Sequence, residues 1–223
     1  MILAVVNQKG GVGKTTLSTH IASALALGAP GSPAAGPDRR VLLVDADPQR
    51  SAMNWSDNRG TEVLFPVIGM PKKTLHRDVV TMAVNYDHVV IDGPPQADEI
   101  TLSALYCADL VIIPVQPSPY DVWSAKEIVA MFEKVTTLKP GLKCAFAINR
   151  KIVNTAIGRD VTQALSAYPG IPVLSSAVHS RVAFAETAGS GRTVLQTDPT
   201  GIAAQEIMNL TREILEVYHA KVR

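Results

Sequence analysis

Short apolar runs recur along the chain: Ile2-Leu3-Ala4-Val5-Val6, Val41-Leu42-Leu43-Val44, Val89-Val90-Ile91, Leu110 to Val115 and Cys144 to Ile148. None alternates with polar residues, so each predicts a strand buried on both faces, as in the interior of a parallel sheet. A further peripheral strand is expected over 62–67, and a short one over Val173 to Ser175.

Between these runs the apolar positions shift to helical spacing. Leu17 to Leu27 has Leu17, Ile21, Ala24 and Leu25 in register, and Asp121 to Leu138 has Val122, Ala125, Ile128, Val129 and Phe132. Ser51 to Asn58, Thr155 to Ala167 and Val182 to Ala188 read as shorter helices, and Lys72 to Asn85 has mixed helical character. Gly201 to His219 closes the chain, with Ala203, Ile207, Leu210, Ile214 and Val217 on one face. A string of Gly, Ala and Pro within 28–39 can hold neither element and is expected to form a mobile surface loop. Strands alternating with helices, with no internal repeat, predict an α/β fold: a doubly wound, mostly parallel sheet flanked by helices, in one domain spanning 1–223. Chemistry in such folds gathers at the C-terminal ends of the strands.

The residues at those ends carry the signal. After the first run comes Asn7-Gln8-Lys9-Gly10-Gly11-Val12-Gly13-Lys14-Thr15-Thr16. A strand that breaks into glycines and then Lys-Thr-Thr before a helix is a phosphate-binding loop: the backbone N–H groups and the helix N-terminus make a concave anion site. Lys14 would reach the β- and γ-phosphates, and the Thr15 hydroxyl would bind Mg²⁺. The usual pattern has a glycine where Gln8 stands, and a second lysine, Lys9, puts two ammonium groups in one loop, which makes sense if a polyanion sits there.

The second run delivers Asp45-Ala46-Asp47-Pro48-Gln49. Two carboxylates so placed suit a metal's water shell or an attacking water; a helix cap and a turn aspartate are the alternative. The third ends in Asp92-Gly93-Pro94-Pro95, where a carboxylate next to the loop strand would hold Mg²⁺ through water. The last ends in Asn149-Arg150; the amide can bond a base and the guanidinium can stack on one, though both also suit an ordinary loop.

Composition narrows the rest. The formal net charge is +1, so nucleic-acid binding would need a local basic patch. Lys134, Lys139, Lys143, Arg150, Lys151 and Arg159, followed by Arg181 and Arg192, supply candidates for one; a solvated surface is the other reading. No apolar run is long enough to span a membrane, and no basic-then-apolar leader precedes the first strand, so a cytoplasmic protein is expected. The closing helix balances acids and bases on its polar face, so membrane binding is not expected. Cys107 and Cys144 read as core thiols.

Together, KGGVGKTT (Lys9 to Thr16), LLVDADPQRSAMNW (Leu42 to Trp55), VVIDGPP (Val89 to Pro95), DLVIIPVQPSPYDVWSA (Asp109 to Ala125) and INRK (Ile148 to Lys151) resemble the ParA/MinD family of deviant Walker A P-loop ATPases. The likeness runs almost end to end and is greatest to the small ParF-type plasmid partition ATPases. It implies a homodimer closed on two ATP molecules, with Mg²⁺, in which Lys9 crosses to the partner's phosphates. It further implies that Lys14 and the loop residues Gly10, Gly11, Val12 and Gly13 hold phosphates in cis and that Thr16 meets the α-phosphate. Thr15 and Asp92 would hold the metal, with Asp45 supporting its shell, while Asp47 positions water and Asn149 and Arg150 meet adenine. Slow turnover, stimulated by a centromere-binding or other adaptor protein, and ATP-dependent binding to non-specific DNA on the nucleoid follow from the same resemblance.

Overall fold

The computed structural model describes every residue except 30–38, 62, 97, 153–155 and 221–223. Most of the Gly/Ala/Pro string, and the expected helix start at Thr155, lie outside the described residues. The elements are β1 (Ile2–Val5), α1 (Lys14–Ala26), β2 (Val41–Asp45), α2 (Ser51–Asp57), β3 (Val67–Gly69), α3 (Leu75–Ala83), β4 (His88–Asp92) and α4 (Glu99–Cys107). Then come β5 (Leu110–Val115), α5 (Pro119–Thr136), β6 (Lys143–Ile148), α6 (Ala156–Leu165), α7 (Val182–Gly189), α8 (Val194–Thr197) and α9 (Ile202–His219).

All strand pairs are parallel, in the order β3-β2-β4-β1-β5-β6. β1 lies between β4 and β5, where the direction of winding reverses, and a crevice opens at such a point. The register aligns Val5 with Asp92 and Asp92 with Asp45, so the loop after β1 and the two carboxylate-bearing strand ends share one edge.

Alternate residues of each strand feed two cores. Ala4, Val6, Leu42, Val44, Val89, Ile91, Val111 and Ile113 pack against Leu75 and Val79 of α3, Ala104 and Leu105 of α4, and Ala125 and Ile128 of α5. Leu3, Val5, Leu43, Val90, Leu110 and Ile112 pack on the other side against Leu17, Ile21 and Leu25 of α1 and Ile207, Leu210 and Ile214 of α9. α1 is therefore held between the sheet and α9, and even its polar Ser18, His20 and Ser23 are buried.

Three expectations change. The peripheral strand falls at Val67–Gly69, because Pro66 has no N–H for a ladder and contributes only its carbonyl, to the Leu43 N–H at 3.1 Å. Val173 makes only an isolated bridge to Phe146, next to Pro172. α5 starts at Pro119, ahead of Asp121, since proline is pre-formed for a first helical turn. Two helices are additional to those read from the sequence: the short α8, and α4, whose N-terminus is capped by the Asp98 carboxylate accepting from the N–H groups of Ile100 and Thr101. Both cysteines are free and buried, and burial pushes the Cys107 thiol up to about 12 and raises that of Cys144. Among the described residues no helix is long and apolar enough to cross a membrane.

Candidate active site

The loop between β1 and α1 is held by its carbonyls. Lys14 Nζ donates to the carbonyl of Lys9 at 3.0 Å, Gln116 Nε2 to that of Gly11 at 2.8 Å, and Asn149 Nδ2 to that of Val12 at 2.8 Å. Asn7 anchors the start, donating to the Pro114 carbonyl at 2.7 Å and accepting the Lys9 N–H at 3.0 Å. Gly11 and Gly13 adopt φ of 74° and 93°, and a Cβ on Gly13 would lie 2.1 Å from Asn149 Nδ2, so both the turn and the close approach require glycine there. Gly13 precedes α1 without a side-chain cap, which leaves the first-turn N–H groups to serve an anion.

A cavity of about 330 Å³ opens against this turn, lined by Gly10, Gly11, Gly13, Lys14, Thr15 and Thr16 and, from the other strand ends, by Asp47, Gln49, Ser51, Pro95 and Arg150. Val12 is fully buried and contributes only its carbonyl bond. Lys14 is 7% exposed, and burial lowers its pKa against the pull of Asp92 and Asp47. A desolvated ammonium beside uncapped helix N–H groups is a strong site for a polyphosphate.

Asp92 is fully buried behind the cavity; its Oδ2 accepts from the Thr15 hydroxyl at 2.7 Å and its Oδ1 from Ser18 at 3.0 Å. Burial pushes its carboxyl up to about 7, the two hydroxyl bonds opposing this and the nearby Asp45 adding to it. Among the described residues no group of three or more His, Cys, Asp or Glu could hold a metal. The hard oxygens of Thr15, Asp92 and Asp47 do fit Mg²⁺ of the kind that arrives with phosphates and keeps much of its water shell.

Asp45, the last residue of β2, and Asp47, two residues on, separate clearly. Asp47 lines the cavity, 8% exposed, its Oδ1 accepting the Gln49 N–H at 2.9 Å. Asp45 does not line it. Its Oδ1 accepts the Asp47 N–H at 3.0 Å and its Oδ2 the Met53 N–H at 2.8 Å, which fixes the turn that carries Asp47. Burial raises its carboxyl against those backbone bonds.

Lys9 is not among the lining residues. Its ammonium lies 2.6 Å from Oδ2 of Asp121, in the first turn of α5; the Lys9 side chain is 38% exposed and that of Asp121 fully buried. In the sequence Asp121 marks only a helix start, and Asn7, Ser18 and Gln116 carry no signal of a role. Asp121, two residues past Pro119, was the available signal for an acid fixed in a first turn.

Asn149 and Arg150 line a neighbouring cavity of about 320 Å³ with Thr16, His179, Arg181 and Phe184. Arg150 has a φ of 52° and lines both cavities, a left-handed backbone that is costly for arginine and recurs at ligand clamps.

The expected basic patch is thinned. Lys143 Nζ donates to the carbonyls of Tyr218 and Ala220 at the end of α9, Lys139 to those of Tyr106 and Ala108 at the end of α4, and Arg181 pairs with Glu206 at 2.6 Å. Lys151 is half-buried, while Arg159, on α6, and Arg192, in the loop before α8, are exposed.

Comparison with known proteins identifies the family. Residues 3–194 match the CobQ/CobB/MinD/ParA nucleotide binding domain. The chain is 33% identical over 217 residues to a maintenance of carboxysome distribution protein A of Halothiobacillus neapolitanus, covering 96% of this chain and 95% of that one. It is 29% identical over 245 residues to a chromosome-partitioning ATPase Soj of Thermus thermophilus, covering 96% and 94%. In fold it resembles the septum site-determining protein MinD of Pyrococcus horikoshii, solved with Mg-ADP, at a TM-score of 0.72 and 20% identity over 99% of both chains. The chain thus belongs to the CobQ/CobB/MinD/ParA family and is a nucleotide-binding protein with the architecture of the ParA/MinD ATPases.

Proposed function

We propose that this protein is a Mg²⁺-dependent ATPase acting as a dimerising switch that partitions a cargo over DNA. The observation that carries this reading is the division of labour between two lysines of one loop. Lys14 is buried against its own cavity, whereas Lys9 lies outside it on Asp121. A cation kept beside a phosphate site but off it suits the phosphates of a second subunit.

In this reading Lys14 and the loop N–H groups bind the β- and γ-phosphates, and Thr16 the α-phosphate. Thr15 and Asp92 would hold Mg²⁺, which would supply charge neutralisation for the phosphates. Asp47 orients the attacking water, and Asp45 holds the Asp47 turn. Lys9, released from Asp121, offsets the charge that develops as the γ-phosphoryl group departs from the partner's nucleotide, the part played by arginine fingers elsewhere. Asn149 and Arg150 meet the adenine. Hydrolysis is slow until an adaptor protein stimulates it, and the ATP-bound dimer associates with non-specific DNA of the nucleoid.

The cargo is a plasmid or similar DNA. The 33% identity to a carboxysome distribution protein favours a second reading in which the same switch positions a protein assembly. The test common to both is a gel shift on arbitrary duplex DNA with ATP, ADP or no nucleotide at two salt concentrations. Binding that needs ATP and weakens with salt supports the reading. Absence of ATP-dependent binding, with ATP-dependent sedimentation on anionic liposomes in its place, would replace it with a membrane-cycling regulator.

A further inference from the structure

Glu206 of α9 does not line the cavity that holds Asn149 and Arg150, yet its carboxylate is bonded to two residues that do. Oε1 accepts from His179 Nδ1 at 2.8 Å and from Arg181 Nη2 at 2.6 Å, and Oε2 accepts the backbone N–H of His179 at 3.1 Å. Arg181 Nε lies 3.2 Å from each oxygen. Two turns further along α9, Glu213 accepts the N–H groups of Ser175 and Ser176 at 2.7 and 2.8 Å. The helix therefore brackets the segment from Ser175 to Arg181 with two carboxylates. On its other side the segment is tied to the end of β6, the Lys151 N–H donating to Val178 and the Ser180 N–H to Lys151, both at 3.0 Å. The brackets differ in one respect. Glu213 holds Ser175 and Ser176, neither of which lines the cavity, whereas Glu206 grips the side chains of His179 and Arg181 in its wall.

The chemistry of that grip sets the state of the histidine. A carboxylate only accepts, so the ring proton sits on Nδ1, and Nε2 is the nitrogen left for a bound molecule. In the neutral ring Nε2 is an acceptor. Arg181 is held by Nε and Nη2 together, so its charge is matched by Glu206 and its direction is fixed. Although burial acts to raise the Glu206 carboxyl, its bonds from Arg181 and His179 outweigh this and hold it below the usual range.

We propose that Glu206 is a positioning residue for nucleoside recognition: it orients His179 so that Nε2 accepts a hydrogen bond from a donor on the nucleoside, either the exocyclic amino group of the base or a ribose hydroxyl. The proposal rests on the nucleotide reading of this cavity.

Titration calorimetry with Mg²⁺ tests it, comparing ATP, 2′-deoxy-ATP, the triphosphate of unsubstituted purine riboside, and inorganic triphosphate. E206A is expected to weaken ATP about tenfold, one good hydrogen bond, and to leave inorganic triphosphate unchanged. H179A should lose the same amount, and the double variant no more than either. The analogue on which E206A has no effect identifies the donor. E213A is the structural comparator: it should lower Tm without changing the ratio of ATP to triphosphate affinity. Equal weakening of ATP and triphosphate in E206A, an unchanged ratio, or a full E206A effect on both analogues would overturn the proposal. A wild-type protein that binds ATP no better than triphosphate would instead remove the nucleoside reading of the cavity, a separate failure.

Discussion

The inner and outer sides of the phosphate loop are built on opposite principles. Inside, Lys14, Ser18 and Asp92 are buried and Thr15 is half-buried, Lys14 bonded to the loop carbonyl of Lys9 and both hydroxyls to Asp92 at the end of β4. Outside, Lys9 hangs on one carboxylate from another element, with more than a third of its side chain exposed. The lesson is one of mobility. A group in the inner set moves only if the core rearranges, whereas Lys9 needs to break a single ion pair. A desolvated carboxylate is a poor partner to abandon, since leaving Asp121 buried and unpaired is costly, so the release of Lys9 should be coupled to something that compensates.

Breaking the inner side should have the largest effect. K14A removes the desolvated ammonium from the cavity, and ATP affinity is expected to fall about a hundredfold or more in calorimetry. Retained affinity would mean the cavity is not the phosphate site.

K9A should come next and look different. Hydrolysis is expected to drop roughly a hundredfold to a thousandfold, as for other charges aimed at a transition state, while the Kd for ATP stays within a few-fold. Because K9A also strands Asp121, the double variant K9A/D121N should recover stability in thermal melts but not hydrolysis. Recovery of hydrolysis by the double variant would reduce Lys9 to a brace for Asp121.

D121N alone keeps the shape of the contact but loses the ion pair. Lys9 is then easier to release, and steady-state ATPase at limiting protein is expected to rise a few-fold. An unchanged or lower rate would show that Asp121 does not restrain Lys9.

The smallest effect concerns how firmly α1 holds the inner side. His20 is buried, its Nδ1–H donating to the Thr16 carbonyl at 2.7 Å while Nε2 accepts the Val194 N–H at 3.2 Å. Burial lowers its pKa to about 4, below the unfolded value of 6.5. The unfolded chain therefore binds the proton first, and the stability from this group is full above pH 6.5 and lost as pH falls toward 4. Melts should show a loss of a few degrees of Tm between pH 6.5 and 5, reduced in H20N, with the similarly lowered His88 contributing the remainder. An H20N profile parallel to wild type would remove His20 as a source of the acid sensitivity.

Much of this was legible in the residues because the relevant physics is local. Apolar runs long enough for a buried strand, each ending in a polar residue, place the Gly13 loop, Asp45, Asp92 and Asn149 at one edge. What sequence could not show depends on pairs distant along the chain. Asp121 meets Lys9 across the sheet edge, Glu206 meets Arg181 from another helix, and Lys143, read as a candidate DNA contact, donates to the end of α9. The two aspartates at the end of β2 differ for a local reason. Their spacing fits either role, and only the backbone bonds from Asp47 and Met53 to Asp45 separate the support from the cavity residue.

The central claim, that Lys9 acts on the other subunit's nucleotide, is tested most directly by mixing two inactive variants. K9A has an intact cavity but no crossing lysine, and D47N has the lysine but a defective water position. If Lys9 works in trans, the mixture contains heterodimers in which the K9A cavity receives Lys9 from the D47N subunit, and ATP hydrolysis should reappear, greatest near equal proportions. A mixture as inactive as its components at every ratio, with dimers present, would contradict the account.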